Sequence, residues 1–269
     1  MTKERSERYI HGHHESVLRS HTWRTVENSA AYLVPYLHEG AEILDLGSGP
    51  GTITVDFADR VAPGRVLGID ASAEVVAQAT ALADERGVGN VTFQVGDAYA
   101  LDLPDDSVDI AHAHQVLQHV ADPVAVLREM ARVVRPGGVI AARDVDYGGA
   151  IWFPELPGLD EWKRLYDRVH RAGGGEPNAG RRLRSWALAA GLTDVTATAS
   201  VWGFSSDEER AWWGGLWADR ALKSDFAGQA LELEASQADL QRISDAWRQW
   251  AAAPDGWFAF PHGEIIAHV

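Results

Sequence analysis

A glycine-rich turn directly after a short apolar run is the feature that most restricts how this chain can fold. The stretch ILDLGSGPGTITVDFA, residues 43–58, passes from a predicted strand into Gly47-x-Gly49-x-Gly51 and then into helical spacing. Glycines in such a turn let the backbone approach a ligand closely, because they carry no side chains. In a doubly wound α/β sheet, this turn lies where the strand order reverses and cofactors bind. The stretch therefore predicts a cofactor site at the carboxyl edge of a parallel sheet.

The rest of the first half alternates strand and helix patterns as such a sheet requires. Apolar runs predict strands at 42–46, 65–70, 91–95, 108–113 and 138–145. Helical spacing is present at 52–60, 72–86 and 122–134. This alternation is typical of a mostly parallel sheet with helices on both faces.

The second half departs from this rhythm and is rich in tryptophan. Only Trp23 of the 11 tryptophans precedes residue 150. Helices are predicted at 159–172, 181–192, 206–224 and 228–252, and strands at 194–202 and 257–268. We expect a helical N-terminal lid at 1–40 and a domain at 41–269, with helical insertions at about 151–178 and 205–254. Insertions between the last strands would project over the carboxyl edge of the sheet and wall a second binding site.

Charge and cysteine content restrict the class of ligand. The formal net charge is −15, and a field of that sign repels nucleic acid phosphates and anionic membranes. The chain has no cysteine, which excludes disulfides, thiolate metal sites and cysteine nucleophiles. The N-terminal segment lacks the apolar region of a signal peptide, and no apolar run reaches the ~18 residues of a membrane span. We therefore expect a cytoplasmic monomer or homodimer that acts on a small molecule, without nucleic acid or membrane partners.

Acidic residues after the next two strands indicate what the turn binds. Asp70 ends the second predicted strand, where a carboxylate can accept both hydroxyls of a ribose, and Asp97 follows the third. A dinucleotide fingerprint would need its third glycine one residue later, where Thr52 stands, so an NAD(P)-dependent oxidoreductase is the less favoured alternative. Adenine, ribose and a sulfonium cation all suit an edge with carboxylates at successive strand ends.

These segments together resemble class I S-adenosylmethionine-dependent methyltransferases. DLGSGPG, residues 45–51, resembles the first motif of that family, and VGDA, 95–98, resembles the segment whose acid bonds the adenine amino group. Residues 103–120 resemble the fourth-strand motif, and 127–144 resemble the helix, Pro-Gly-Gly turn and fifth strand. The resemblance covers about residues 40–146 and points to the ubiquinone/menaquinone-biosynthesis-like branch.

The resemblance implies a fold, a reaction and a set of cofactor residues. The fold is a doubly wound, seven-stranded, Rossmann-like α/β sheet, mostly parallel with the last strand antiparallel. The reaction is methyl transfer from S-adenosylmethionine to a small-molecule acceptor, with S-adenosylhomocysteine as product. The predicted cofactor residues are Arg24, Asp45, Gly47, Ser48, Gly49, Gly51, Asp70, Ala71, Asp97, Ala98, His114 and Gln115.

The acceptor site is less defined by the sequence. Methyl transfer from a sulfonium is an in-line displacement, so alignment and exclusion of water are the main tasks. A general base is needed only where the acceptor carries a proton that must leave early, and His114 and Tyr147 are the candidates for a base or an orienting group. Aromatic side chains favour an apolar or aromatic acceptor. Predicted pocket residues are Tyr9, His14, Trp23, His119, Asp146, Trp152, Trp213 and Trp217.

The histidine-rich N-terminal stretch YIHGHHESVLRSHTWR, residues 9–24, is predicted to belong to the lid. Its histidines lack a further ligand with defined spacing, so no metal site is predicted. Arg24 is the candidate for the carboxylate of the cofactor, through a charge-assisted hydrogen bond. The atom that receives the methyl group stays open among oxygen, nitrogen, carbon and sulfur, and the absence of cysteine disfavours arsenic. A binder of S-adenosylmethionine that does not methylate is a further alternative, because fold does not fix function.

Overall fold

One sheet organises residues 23–269, the part of the chain that the computed structural model describes. The strands are β1 (Ile43–Leu46), β2 (Val66–Asp70), β3 (Val91–Val95), β4 (Val108–His114), β5 (Val134–Val145), β6 (Ile151–Phe153), β7 (Asp194–Phe204) and β8 (Trp257–His268). Their order is β3-β2-β1-β4-β5-β8-β6, and β7 pairs with β8. Strands β1 to β5 pair in parallel, and β8 runs antiparallel to each of its neighbours. The predicted doubly wound sheet with an antiparallel last strand is confirmed.

The strand β6 is an addition to the seven that the sequence predicts. None of the predicted strands covers residues 147–158, yet Ile151–Phe153 pair with Trp257–Phe258–Ala259 at the start of β8. At its other end β8 pairs with β5, from His262 to His268. β6 therefore continues the edge of β8 beyond the point where β5 ends, and it lengthens the sheet toward the tryptophan-rich helices.

Helix ends coincide with the capping residues that the sequence offers. The helices are α1 (Val26–Ser29), α2 (Thr52–Val61), α3 (Ala73–Arg86), α4 (Pro123–Val133), α5 (Pro157–Ala172), α6 (Leu183–Ala190), α7 (Asp207–Lys223), α8 (Asp225–Glu232) and α9 (Gln237–Ala252). The Ser72 hydroxyl accepts from the Val75 amide at the start of α3, and Gly87 ends that helix in the left-handed conformation.

Two predicted helices differ in the structure. The single helix expected over 228–252 is divided, because Glu234 adopts φ +67° and Ser236 starts α9 with a capping box to Asp239. The helical spacing of 25–37 forms only the short α1 and a 3₁₀ turn at Ala31–Tyr36, which contains Pro35. Most of the predicted lid, including Tyr9 and His14, lies outside the described residues.

Two hydrophobic cores cover the faces of the parallel sheet, and a third forms around tryptophans. The third core lies between the helices α5, α7, α8 and α9 and the extended ends of β7 and β8. Its largest fully buried side chains include Trp162, Trp217, Trp247 and Trp250. Trp162 contacts Trp217 and Trp247 edge-to-face, and Trp247 contacts Trp250 in the same way, at the centroid distances typical of aromatic packing. Within residues 23–269, no helix has both the length and the apolarity to cross a bilayer.

Candidate active site

A cavity of about 600 Å³ joins the carboxyl edge of the parallel strands to the tryptophan-rich core. Its cofactor end, as we name it, lies at the ends of β1, β2 and β3 and is lined by Asp45, Gly47, Ser48, Gly49, Asp70, Ala71, Asp97 and Ala98. Its aromatic end is lined by Tyr147, Trp202, Trp212, Trp213, Arg220 and Phe260. Between the two ends lie Trp23, Arg24, His114, Gln115 and His119. A volume of this size is typical of small-molecule sites.

The glycines of the turn have different physical roles. Gly49 has φ +56°, lines the cavity, and has no protein atom within 4 Å of the position that a Cβ would take. Gly51 does not line the cavity, because the space beside its Cα is filled by α3 and β3. A Cβ on Gly51 would lie 2.9 Å from both Ala79 Cβ and Phe93 Cζ. The assignment of Gly51 to the cofactor is therefore corrected to a packing role, and Gly49 is the glycine that leaves room for a ligand.

Alanine at Gly49 tests this difference against a matched control. Gly49 and Gly87 both have positive φ, at +56° and +67°, and neither has a neighbour that a Cβ would meet. Both substitutions should cost about 1 kcal/mol of unfolding free energy through left-handed strain. Only Gly49→Ala should weaken binding of S-adenosylhomocysteine, by about tenfold or more, because only its methyl group would enter the cavity. Calorimetric titration and urea unfolding of both variants measure the two effects, and equal affinities would contradict the role given to Gly49.

The carboxylates of the cofactor end are held in place by the backbone. Asp70 accepts hydrogen bonds from the Gly49 amide through Oδ2 and from the Ser72 amide through Oδ1, each at 3.0 Å. Asp97 Oδ1 accepts from the Tyr99 amide at 2.9 Å. Each oxygen has a second lone pair, so both side chains can still accept hydrogen bonds from a ligand in the cavity.

Asp45 also reaches the cavity, but its side chain bonds inside the protein. Oδ1 lies 2.7 Å from Nδ1 of the buried His112, and Oδ2 accepts from the Thr54 hydroxyl at 2.5 Å. The residue thereby ties the end of β1 to β4 and to the helix that follows the turn. Its contribution to the site is to hold the turn in shape.

Two predicted cofactor residues, Arg24 and Gln115, contact each other across the cavity. Arg24 Nη2 donates to Gln115 Oε1 at 2.7 Å, and Gln115 Nε2 lies 2.9 Å from His262 Nε2. Since the amide nitrogen donates, His262 accepts through Nε2. Gln115 adopts φ +55°, a conformation that aims its side chain from the end of β4 toward this pair. His262 is on β8, far away in sequence, and no local pattern marks it.

His114 lies buried between the two ends of the cavity, and its ring is nearly parallel to the rings of two other histidines. Its ring centroid is 6.5 Å from that of His112 and 6.4 Å from that of His262. Burial, and then the positive charges of Arg24 and Arg143, lower the pKa of His114 well below its usual value. The imidazole is therefore neutral near pH 7, and no described side chain or backbone group hydrogen-bonds either ring nitrogen. It can therefore accept a proton or a hydrogen bond from a ligand.

Burial also keeps two further groups of the wall, His119 and Tyr147, in their neutral forms. Burial, followed by the nearby His170, lowers the pKa of His119 well below its usual value, and the two rings stack at 5.1 Å. Burial raises the pKa of Tyr147, so its phenol keeps its proton near neutral pH. His119 and Tyr147 both line the cavity, and both can orient a ligand through neutral hydrogen bonds.

Asp144, buried at the end of β5, should make stability depend on pH. Its Oδ1 accepts from the Gln118 amide at 3.1 Å, its Oδ2 has no partner among the described residues, and burial raises its pKa from 3.8 to about 8. The folded protein thus holds a proton that the unfolded chain releases from about pH 4 upward. This stabilisation is complete below that pH and is lost as the pH rises through about 8.

Asp144→Asn removes this titration and keeps an oxygen for the Gln118 amide. We expect the melting temperature of the variant to exceed that of the parent by a margin that grows from pH 6 and levels off above about pH 8. Thermal unfolding at a series of pH values measures that margin, with the exposed Asp102→Asn as control. A constant difference across the range would show that Asp144 is already ionised in the folded protein.

Three predicted pocket residues do not line the cavity. Trp217 has no exposed surface, because it packs edge-on against Trp162 at 4.8 Å. Trp152 stacks on Phe258 at 6.1 Å within the same core. Asp146 accepts two hydrogen bonds from the Arg181 guanidinium, at 2.5 and 2.6 Å. Core packing accounts for the tryptophans and an ion pair accounts for Asp146, so these assignments to the pocket are corrected.

Three further residues of the wall were not predicted from the sequence, namely Trp202, Phe260 and Arg220. Trp202 and Phe260 are opposite partners on β7 and β8, and Arg220 follows Trp213 and Trp217 on one face of α7. The helical spacing of positions 213, 217 and 220 is the sequence feature from which Arg220 could have been predicted as a wall residue. Groups of metal-binding side chains are absent from the described range 23–269.

Several proteins that are similar in sequence to this chain are named methyltransferases. The family described as methyltransferase domain matches residues 37–174. An uncharacterized methyltransferase of Schizosaccharomyces pombe is 34% identical over 96% of this chain and 95% of its own length. A ubiquinone/menaquinone biosynthesis C-methyltransferase of Bdellovibrio bacteriovorus is 39% identical over 38% of this chain and 43% of its own. The crystal structure of YcgJ from Bacillus subtilis superposes with a TM-score of 0.60, at 24% identity, over 90% of this chain and 98% of that one.

Proposed function

This chain belongs to the methyltransferase domain family and is an S-adenosylmethionine-dependent methyltransferase, and we propose that its acceptor is a small planar molecule with a largely apolar body. The observation that carries the proposal is the single cavity in which the glycine-rich turn faces an aromatic end. The family predicted from the turn and the strand-end acids is confirmed. The acceptor and the roles of individual residues form the proposal.

The cofactor end fits S-adenosylmethionine by its shape and its donor set. Gly49 leaves open space beside the turn, and the Asp70 carboxylate is fixed with lone pairs toward the cavity. Asp70 would accept the ribose hydroxyls, and Asp97 would accept the adenine amino group. Ser48, Ala71 and Ala98 would line the adenosine, and Arg24 would bind the carboxylate. The bound cofactor supplies an electrophilic methyl group.

The residues between the two ends would align the acceptor and hold its proton. His114 is neutral and buried, so it can take a proton from a hydroxyl or an enol at a ring nitrogen, although its lowered pKa makes it a weak base. Tyr147 would orient the acceptor from the opposite side through its protonated hydroxyl. The tryptophan-rich helices exclude water from this end, and exclusion of water strengthens every polar contact within it.

We also propose roles for the N-terminal segment and for the two helical insertions. Residues 1–40 would act as a lid, because Trp23 and Arg24, which belong to that segment, line the cavity. The helical segments at about 151–178 and 205–254 would cap the acceptor. Trp212 and Trp213 on α7 support this role, since both line the aromatic end.

Two measurements test the proposed function against its alternatives. Calorimetric titration with S-adenosylmethionine, S-adenosylhomocysteine and NADH separates a methyltransferase from an oxidoreductase. Release of S-adenosylhomocysteine is then followed over a panel of planar phenols, enolisable ketones and aromatic amines. We expect turnover on planar members of this panel. Tight cofactor binding without turnover on any acceptor would favour a binder that does not methylate.

Replacing Arg24 tests its assignment to the cofactor. Arg24→Ala should weaken binding of S-adenosylmethionine about tenfold to a hundredfold, because one charge-assisted bond to the carboxylate is lost. The exposed Arg128 donates to the Ala189 carbonyl outside the cavity, so Arg128→Ala is the matched control. Calorimetric titration gives both dissociation constants. An unchanged affinity of Arg24→Ala would remove Arg24 from the cofactor site.

A further inference from the structure

Charges of opposite sign separate along the cavity. The acids among its lining residues are Asp45, Asp70 and Asp97, and all three follow β1, β2 or β3 at the cofactor end. The lining cations are Arg24, between the two ends, and Arg220, at the aromatic end. Within the described residues, no carboxylate lines the aromatic end. This separation suits a cationic cofactor at one end and a negatively charged ligand at the other.

Arg220 is a cation built into the wall of the aromatic end. It is only 4% exposed, although it lies on α7 near the carboxyl end of that helix. Its guanidinium lies over the ring of Trp217, 5.2 Å from the centroid. Trp217 is itself fixed edge-on by Trp162, at 4.8 Å. A guanidinium that lies over a fixed aromatic ring is held in one place.

Aromatic rings line the same end of the cavity as Arg220, and they stack on one another. Trp213 and Phe260 stack with centroids 5.5 Å apart and planes inclined by 28°. Tyr147 and Phe260 stack at 5.7 Å and 26°. Rings that stack on one another hold each other in place, and their atoms at the cavity wall offer a ligand apolar contact.

From these contacts we propose that Arg220 binds a carboxylate on the methyl acceptor, so that the acceptor is a planar aromatic or conjugated acid. The proposal rests on the proposed function, since it assigns the aromatic end to the acceptor. The flat rings of Trp213 and Phe260 contact the body of the acid. The guanidinium forms a paired hydrogen bond to both carboxylate oxygens, a geometry that a neutral amide cannot reproduce. The carboxylate thereby sets which atom of the acceptor faces the cofactor end.

Paired probes of equal shape test the charge preference. We would measure binding of 1-hydroxy-2-naphthoate and of 1-hydroxy-2-naphthamide to the protein saturated with S-adenosylhomocysteine. The carboxylate should bind about tenfold more tightly than the amide. Equal affinities, or no binding of the carboxylate at millimolar concentration, would overturn the proposal.

Variants on α7 assign the preference to one residue. Arg220→Gln should bring the two probes within about twofold of each other, and Arg220→Lys should restore part of the preference by keeping the charge. Arg210 is the matched control, because it is 5% exposed on the same helix and lies outside the cavity wall. Arg210→Gln should leave the preference unchanged. A preference that persists in Arg220→Gln would overturn the proposal.

Binding of S-adenosylhomocysteine separates the two kinds of failure. If the parent protein does not bind it, the proposed function fails, and the probes are not informative about an acceptor. If the parent and the Arg220 variants bind it with similar affinity, the fold and the cofactor end are intact. A missing charge preference then contradicts only the role proposed for Arg220. If a variant does not fold, the comparison of the two probes on the parent protein still tests the proposal.

Discussion

Asp70→Asn is expected to weaken binding of S-adenosylmethionine and S-adenosylhomocysteine by about a hundredfold. The carboxylate accepts from two backbone amides that fix it in the cavity wall, and it keeps lone pairs for the ribose hydroxyls. Asparagine replaces one of these oxygens with a donor, which faces the amide of Gly49 or Ser72. The variant therefore both loses the negative charge and distorts the turn. Calorimetric titration measures the affinity, and the Michaelis constant for the cofactor should rise in parallel.

A control on the neighbouring helix isolates this effect. Asp59 is exposed on α2 and does not line the cavity, so Asp59→Asn removes one negative charge from the same region without touching the site. Its affinity should stay within about twofold of the parent, because long-range charge effects are screened. If Asp70→Asn also binds like the parent, the ribose must be held elsewhere and the assignment of the cofactor end is wrong.

The cofactor end could be predicted from the sequence because its determinants are local. The glycine-rich turn directly follows β1, and Asp70 and Asp97 come at or just after the ends of β2 and β3. Parallel strands bring these ends to one edge of the sheet whatever the rest of the chain does. Asp45 shows the limit of the motif, because the sequence places it at the turn but does not reveal its bond to His112.

The aromatic end is formed by elements that are distant in the sequence, and the sequence pattern does not show how these elements pack together. Helical spacing puts Trp213, Trp217 and Arg220 on one face of α7, but the depth of each follows from how α5 and α9 pack. Trp217 is covered by Trp162, whereas Trp213 stays at the wall. The pairing of Trp202 with Phe260 follows from strand register, which alternation alone does not specify.

The largest stability effect is expected from an ion pair beneath the cavity. Arg143 Nε lies 3.2 Å from Glu264 Oε1, and the two side chains are 1% and 8% exposed. Glu264 also accepts from the hydroxyls of Ser200 and Thr198, at 2.5 and 2.9 Å. The strand register explains the cluster, because Arg143 on β5 and Thr198 on β7 both lie opposite Glu264 on β8.

Glu264→Met should lower the free energy of unfolding by about 3–5 kcal/mol, because it leaves the Arg143 guanidinium buried without this carboxylate. Burial already lowers the pKa of Arg143 to about 10, which indicates how unfavourable its charged form becomes in this environment. Asp144 does not provide a full replacement, because burial holds its pKa near 8 and it is largely protonated at pH 7. Urea unfolding at pH 7 measures the loss. The exposed pair Arg242–Glu161 is the control, and Glu161→Met should cost less than about 1 kcal/mol.

The double variant Arg143→Met/Glu264→Met distinguishes a buried charge from a lost contact. Each single substitution leaves one uncompensated charge, whereas the double substitution leaves none and fills a similar volume with apolar groups. It should therefore be more stable than Glu264→Met alone, with a coupling energy of about 2–3 kcal/mol. Additive losses would instead mean that water reaches the pair. The same variant reports on the site, because the Arg143 guanidinium lies 4.8 Å from the ring centroid of Trp202, which lines the aromatic end. If Arg143 positions that ring, acceptor binding should weaken in the double variant while cofactor affinity stays unchanged.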